Sequence, residues 1–199
     1  MAKKIIAITG SYRRGGVIEQ AAEAVLAGAR EAGAETRLIN LADLKIEFCN
    51  NCRSCTQEPG GKRGACVLRD EMDALLDAAD AADGIVLSAP VNCFNVTAIF
   101  RRFMERLLPY AYWPWGALAP KMRLRTRRPA VLITSSAMPS LFGRVATGAM
   151  RALRGAAEGL GFRPAGTLFI GMASLRKDAA PSPGELKKAR ALGRGLAGG

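Results

Sequence analysis

The sequence predicts an α/β fold built on a five-stranded parallel sheet, and three observations carry that prediction. Five short apolar runs alternate with segments of helical length along 199 residues. The first run, Lys4-Ile5-Ile6-Ala7-Ile8-Thr9, is apolar at successive positions, as a strand covered on both faces must be. That run passes through Gly10-Ser11 and a short Arg/Gly loop into an alanine-rich stretch, the strand–loop–helix order of a right-handed crossover unit. With 49% hydrophobic residues the chain can bury the core of a single domain spanning 1–199.

Taken in order, residues 4–9 read as the first strand. Residues 17–32 read as a helix with Ala21, Val25, Leu26 and Ala29 on one face, stopped by Gly33. Residues 36–41 form the second strand. An irregular stretch of 43–69 follows and holds four cysteines; a loop this long inside a compact domain is a functional one. Asp70 reads as a helix N-cap with Asp73 completing a capping box, and the helix runs over 71–82. Residues 85–89 are the third strand, ended by Pro90, and 91–97 a loop. A helix over 98–108 precedes an aromatic segment, 109–115, with both tryptophans. Residues 129–134 are the fourth strand, 135–139 a loop, and 142–160 a helix stopped by Gly161. Residues 166–171 are the fifth strand, and the last helix, 183–196, ends in a fraying glycine-rich tail. Ligands of such sheets bind where strand order reverses, at the carboxyl ends of the strands, so the loops after the first, third and fourth strands converge on one site.

Composition narrows the chemistry. There is no histidine, which removes Ser-His and Cys-His nucleophilic catalysis and His-ligated metals. No apolar run reaches the roughly 18 residues of a membrane span, and the amino terminus lacks the pattern of a signal peptide. The expectation is a cytoplasmic protein with reduced thiols. The net charge of +12 reads as a solvated basic surface, as help with an anionic nucleotide, or as nucleic-acid binding. Lys121, Arg123, Arg125, Arg127 and Arg128 cluster before the fourth strand, but no nucleic-acid motif accompanies them.

The loop Gly10-Ser11-Tyr12-Arg13-Arg14-Gly15-Gly16 is the first candidate site. Backbone N–H groups and a helix N-terminus meet there, and the helix dipole favours an anion. The loop does not match G-x-G-x-x-G, so Asp43 is a loop residue rather than a ribose ligand. Ser11 and Arg13 suit a terminal phosphate better than a threaded pyrophosphate, which points to FMN and the flavodoxin-like strand order 2-1-3-4-5. The bland alternative is a structural turn without a ligand. The second candidate is Cys49, Cys52, Cys55 and Cys66, spaced C-x2-C-x2-C-x10-C. Three evenly spaced cysteines resemble the cluster-binding runs of ferredoxins. Ordinary thiols or a redox pair, a [4Fe–4S] cluster and zinc remain open readings. Cys93 stands apart and reads as a small buried residue.

These motifs together resemble a known group. The loop Gly10-Ser11-x-Arg13-x-Gly15-Gly16, the cysteine stretch, Arg69-Asp70-Glu71-Met72, and Ala89-Pro90-Val91-Asn92 before Asn95-Val96-Thr97 are similar to the NADPH-dependent FMN reductases and iron–sulfur flavoproteins of the flavodoxin-like superfamily. The resemblance implies a three-layer sandwich. It implies FMN held by Ser11, Arg13, Gly15 and Gly16 at its phosphate, by Pro90, Val91, Asn92, Cys93, Phe94 and Asn95 beside its ring, and by Ser135 and Ser136 as a third wall. It implies hydride transfer from NAD(P)H to the flavin, then to a small-molecule or protein acceptor, with no acid–base dyad required. For the cysteines it implies a [4Fe–4S] cluster, although the last gap is long for the group. Where the group places Asn-Thr or Asn-Ser after the paired glycines, this chain has Val17-Ile18, so two side-chain phosphate donors are missing. The aromatic segment 110–115 reads as a flavin cap or, preferentially, a contact surface in a homodimer or higher homo-oligomer. The rival readings are an iron–sulfur flavoprotein electron carrier and a flavodoxin-like binding protein that has lost its flavin.

Overall fold

The computed structural model describes residues 2–124 and 128–198. Five parallel strands form the central sheet: β1 (Lys4–Thr9), β2 (Glu35–Asn40), β3 (Gly84–Asn92), and two further strands introduced below as β7 and β8. A two-residue strand, β4 (Asn95–Val96), folds back antiparallel on β3. A separate ribbon pairs β5 (Ala111–Tyr112) with β6 (Lys121–Met122). With β7 (Arg128–Ser135) and β8 (Phe162–Ile170) the order is β2-β1-β3-β7-β8, the 2-1-3-4-5 order expected from the sequence. The helices are α1 (Val17–Glu31), α2 (Met72–Asp80), α3 (Ala98–Glu105), α4 (Ser140–Ala146), α5 (Ala149–Gly159) and α6 (Pro183–Gly198).

Strand periodicity divides the core into two layers. Ile5, Ala7, Val86, Val131 and Ile133 pack on one face with the buried sides of α1 and α6. Ile6, Ile8, Ile85, Leu87 and Leu132 pack on the other with α2, α3 and α5. The crossing of α1 and α6 is set by glycine: a Cβ on Gly193 would lie 1.8 Å from the Val25 carbonyl oxygen, and one on Gly28 2.0 Å from that of Arg190. Fully burying an aliphatic side chain is worth about 1.5–3 kcal/mol, so the two layers hold the sheet from both sides.

Several boundaries differ from the sequence reading for definable reasons. β3 does not stop at Pro90; it continues to Asn92. The β1 ladder ends at Ser88, so beyond that residue β3 has an open side where a missing N–H is tolerated. The segment after it is a tight hairpin rather than a loop. β8 begins at Phe162, four residues early, because an irregularity opposite Ala130/Val131 absorbs the Pro164 region at this sheet edge. The helix expected over 142–160 is two helices, broken at Thr147-Gly148, where the Gly148 N–H donates to the Phe94 carbonyl (2.8 Å). Asp70 does accept from the Met72 N–H (3.0 Å), but the capping box does not form, since Asp73 pairs with Arg69 at 3.8 Å instead. The helix over 71–82 shortens to α2. Residues Arg125 and Arg127 of the basic cluster, and Gly199 of the tail, lie outside the described residues.

Candidate functional site

At the carboxyl ends of β1, β3 and β7 lies a cleft of about 350 Å³, within the size range of small-molecule sites. Its first wall is the loop after β1. Gly10 is required there, since a Cβ would sit 2.7 Å from the Phe100 Cβ. The Thr97 hydroxyl donates to the Gly10 carbonyl (2.6 Å), and Asn40 Nδ2 donates to that of Ser11 (3.2 Å). The Ser11 hydroxyl accepts from the Arg13 N–H at 3.2 Å, which curls the loop toward α1. The Tyr12 phenol oxygen accepts from the Ile99 N–H at the start of α3 (3.3 Å). Gly16 is the N-cap of α1, and no side chain caps that terminus. The N–H groups of the first turn have no intrahelical acceptor. Val17 and Ile18 line the cleft, yet their side chains are buried in the core on the α1 side of the sheet. The groups here that could hold a phosphomonoester are the orphan amides at a positive helix end and Arg13 and Lys177 on the rim, with the Ser11 hydroxyl donating in this structure to the Arg13 carbonyl (3.2 Å).

The structure brings together Ser11, Arg13, Gly16, Pro90, Val91, Asn92, Ser135 and Ser136 around this cleft. The other predicted residues stand elsewhere. Gly15 (φ +62°) turns outward, and its N–H donates to the Glu19 carboxylate, which also lies 3.7 Å from Arg14. Arg14 is tied to Asp43 as well, leaving Arg13 as the cation of this loop on the cleft. Cys93 and Phe94 form the hairpin tip between β3 and β4, with φ of +45° and +61°. Both side chains are exposed, so Cys93 is not the buried residue expected. Asn95 accepts from the Val96 N–H (2.9 Å) and packs on Gly148. The sequence reading missed the fourth wall, the loop after β8, which contributes Ala173, Ser174, Lys177 and Ala179. Its signal was present: a Ser/Arg/Lys stretch at the carboxyl end of a parallel strand.

The cysteine loop is a second constructed region. Cys55 is buried, and its thiol is pushed up to about 11, by burial first and then by the nearby Cys66, Cys49 and Cys52. Exposed Cys52 is lowered, chiefly by hydrogen bonding to Ser54. The spacing of the cysteines raised a metal site, but among the described residues no group of three or more His, Cys, Asp or Glu is placed to hold a metal ion.

Distant side chains hold this loop in place. Arg53 (φ +59°) lies between the rings of Trp113 and Trp115, 4.0 and 4.2 Å from their centroids, and donates to the Trp113 carbonyl (2.6 Å). The aromatic segment therefore clamps the cysteine loop. Arg123 donates to the carbonyls of Glu58 (2.7 Å), Cys55 (3.3 Å) and Gly60 (3.3 Å). Arg128 donates to those of Asp80 (2.8 Å) and Ala82 (2.6 Å) at the end of α2. Two members of the basic cluster are thus carbonyl clamps rather than solvated surface charges. Arg106 and Asp70 form a buried ion pair, 2% and 7% exposed, at 2.6 Å. Burial alone would raise the Asp70 carboxyl; Arg106 and the amides of Glu47 and Met72 outweigh it and hold the group below its ordinary range.

Fold and cleft define an open α/β protein with a cleft at its topological switch point. The model of the NADPH-dependent FMN reductase family matches residues 3–170, and the chain belongs to that family. An iron–sulfur flavoprotein of Archaeoglobus fulgidus is 33% identical over 111 residues, 56% of this chain and 48% of that protein. The chain thus spans about half the length of the curated relative it matches. Among solved structures, a flavone reductase aligns over 98% of this chain and 62% of its own, with a TM-score of 0.69 and 22% identity. A flavodoxin from the Archaea aligns over 98% of this chain and 96% of its own, with a TM-score of 0.60 and 14% identity. These likenesses show a flavodoxin-like fold.

Proposed function

We propose that the cleft binds FMN and that the chain is an NAD(P)H-dependent flavin oxidoreductase, passing electrons to a small-molecule or protein acceptor. One observation carries this reading: the uncapped N-terminus of α1, with Ser11 and Arg13, shares a single cleft with the strand end at Pro90, Val91 and Asn92. When bound, FMN supplies a hydride acceptor that can release electrons singly or in pairs. The chain's own residues bind and orient. The first-turn amides and the Ser11 hydroxyl hold the phosphate, and Arg13 and Lys177 neutralise it. Val91 and Asn92, and Ser135 and Ser136 on the neighbouring strand end, would line the place of the flavin ring and offer it polar groups. Val17 and Ile18 serve as core residues whose backbone replaces the missing side-chain donors. No helix among the described residues is long and apolar enough to cross a membrane. We further propose that the chain works as a homodimer or higher homo-oligomer.

Fluorescence titration of the purified protein with FMN and with riboflavin tests the reading. A hydrogen bond to a charged group is worth about 1.5–3 kcal/mol, so Arg13→Ala should weaken FMN roughly tenfold or more and leave riboflavin unchanged. Arg14→Ala, held by Asp43 and Glu19 outside the cleft, should change neither. Equal affinity of the unaltered protein for both flavins would sink the phosphate assignment.

The C-x2-C-x2-C-x10-C spacing and the likeness to a protein named as an iron–sulfur flavoprotein support a second reading, an iron–sulfur flavoprotein electron carrier with a [4Fe–4S] cluster on Cys49, Cys52, Cys55 and Cys66. Iron and acid-labile sulfide content after anaerobic reconstitution decides it.

A further inference from the structure

Exposed apolar side chains gather where the cleft opens. Phe94 stands at the tip of the β3–β4 hairpin, Leu141, Phe142 and Val145 on α4, and Met172 and Leu175 in the loop after β8, each between 43% and 86% exposed. Backbone hydrogen bonds tie these segments together around the mouth. The Gly148 N–H, just past α4, donates to the Phe94 carbonyl (2.8 Å), and the Met172 N–H donates to that of Met138, just before α4 (3.0 Å). Of the seven residues of α4 only Gly143 is buried, and a Cβ on it would lie 2.6 Å from the Phe169 ring. The helix therefore rests on β8 through its glycine and turns its large apolar side chains outward. Among them stands Arg144, its guanidinium 5.6 Å from the centre of the Phe169 ring. Arg13 and Lys177 at the cleft's rim add to the positive field of this face, while Arg176 is paired with Asp178 (3.1 Å).

Exposed apolar groups on this scale mark a contact surface. Shape and charge select the partner. These side chains project from a hairpin tip, a short helix and a loop, so they can enter a soft phase without a matching pocket. A second copy would bring the same cations, and each chain carries a net charge of +12. The cytoplasmic leaflet of a membrane is anionic, and apolar side chains flanked by Arg or Lys seat a protein at the headgroup boundary. We propose that this face docks on an anionic bilayer surface: Leu141, Phe142 and Val145 enter the headgroup boundary, Arg144 meets a lipid phosphate, and the mouth of the cleft turns toward the membrane. The chain lies on the bilayer and does not cross it. The proposal stands apart from what the cleft itself binds.

Co-sedimentation of the full chain with vesicles tests it, phosphatidylcholine alone against an equal mixture of phosphatidylcholine and phosphatidylglycerol. The mixed vesicles should be bound about tenfold more tightly or more. Salt at about 1 M, where the Debye length falls to about 3 Å, should remove most of that difference. Leu141→Ser, Phe142→Ser and Val145→Ser together should weaken binding about tenfold or more; all three side chains are exposed, so the core stays intact. Arg144→Gln should weaken it about fivefold, on the mixed vesicles alone, as the loss of one cation near the surface requires. Two controls should each change it by less than about twofold: Arg163→Gln, an exposed cation at the amino end of β8, and Leu118→Ser, an exposed side chain between β5 and β6. Binding that Arg163→Gln weakens as much as Arg144→Gln, and that the serine variant leaves untouched, is diffuse attraction of a basic protein and overturns the proposal. Failure of the unaltered protein to bind either vesicle overturns it as well. Light scattering then assigns the face: a serine variant of half the unaltered mass makes it a contact between copies, and one of equal mass leaves it to a different protein.

Discussion

The cleft and the cysteine loop are built by opposite means. The cleft is made of backbone: a glycine-tight turn, a helix end without a cap, and strand termini aligned by a parallel ladder. Its parts are fixed by local sequence and sheet order. The cysteine loop has little regular structure of its own beyond one short 3₁₀ turn at Ser54–Thr56. Its shape comes from side chains dozens of residues away, the Arg53–Trp113–Trp115 stack, the Arg123 carbonyl clamp and the Arg106–Asp70 pair. A backbone-made site tolerates exchange of most side chains that face it. A side-chain-clamped loop depends on each clamp, and variants separate the two cases.

The largest effect is expected at the buried ion pair. Arg106→Met leaves the Asp70 carboxylate buried without its partner, which costs about 3–5 kcal/mol. Removing both charges together, Asp70→Leu with Arg106→Met, should recover most of that loss, because a buried pair replaced by apolar groups is often near neutral. Urea unfolding of the three proteins measures the difference. A double variant as unstable as the single one would mean that the pair's hydrogen bonds to Glu47 and Met72, rather than its charge balance, hold the loop.

The same contrast explains what could be read from the sequence. Strand order, both sheet layers and the cleft's first three walls follow from periodicity and from the Gly10-Ser11 loop, since local pattern and topology determine them. The boundary errors at Pro90, Gly148 and Pro164 arose where a neighbouring strand or hairpin, not the local sequence, decides whether a segment continues. The cysteine set was visible from its spacing. Its clamps were not, because nothing in a one-dimensional pattern joins Arg53 to Trp113 or Arg106 to Asp70. Arg123 and Arg128 looked like surface charge for that reason. Val17-Ile18 stand where the family's pattern places two side-chain phosphate donors, and burial shows that their side chains belong to the core.

A pH dependence should follow from the Asp70 pair. Its carboxyl lies below the ordinary value in the folded state, so its stabilisation is complete above about pH 4 and is lost as pH falls through the folded-state value. Thermal melts of the unaltered protein and Asp70→Asn should therefore differ at neutral pH and converge in acid. Curves that stay parallel would remove the ionised pair from the account of loop stability.

The Arg53 stack should have an intermediate effect. A cation over an aromatic face contributes about 0.5–1 kcal/mol at exposed sites and about 2 when desolvated, and two rings share this guanidinium. Arg53→Ala should destabilise by about 1–2 kcal/mol and speed hydrogen exchange across residues 49–66, with flavin affinity unchanged. Loss of flavin binding in this variant would show that the two regions are coupled.

The smallest effect is expected at the hairpin tip beyond the cleft. Cys93 and Phe94 hold left-handed backbone at the tip of the β3–β4 hairpin, φ +45° and +61°, where two-residue turns favour Asn-Gly. A left-handed residue other than glycine costs roughly 1–2 kcal/mol, while a glycine loses more chain entropy on folding, about 0.5–1 kcal/mol. Phe94 is 64% exposed, so removing its ring sacrifices little burial. Cys93→Asn with Phe94→Gly should then stabilise the protein by about 0.5–1 kcal/mol in urea unfolding and leave FMN affinity unchanged, since neither residue lines the cleft. Weaker FMN binding despite a gain in stability would instead give the Phe94 ring a role at the flavin, and the strained turn would be there to present it.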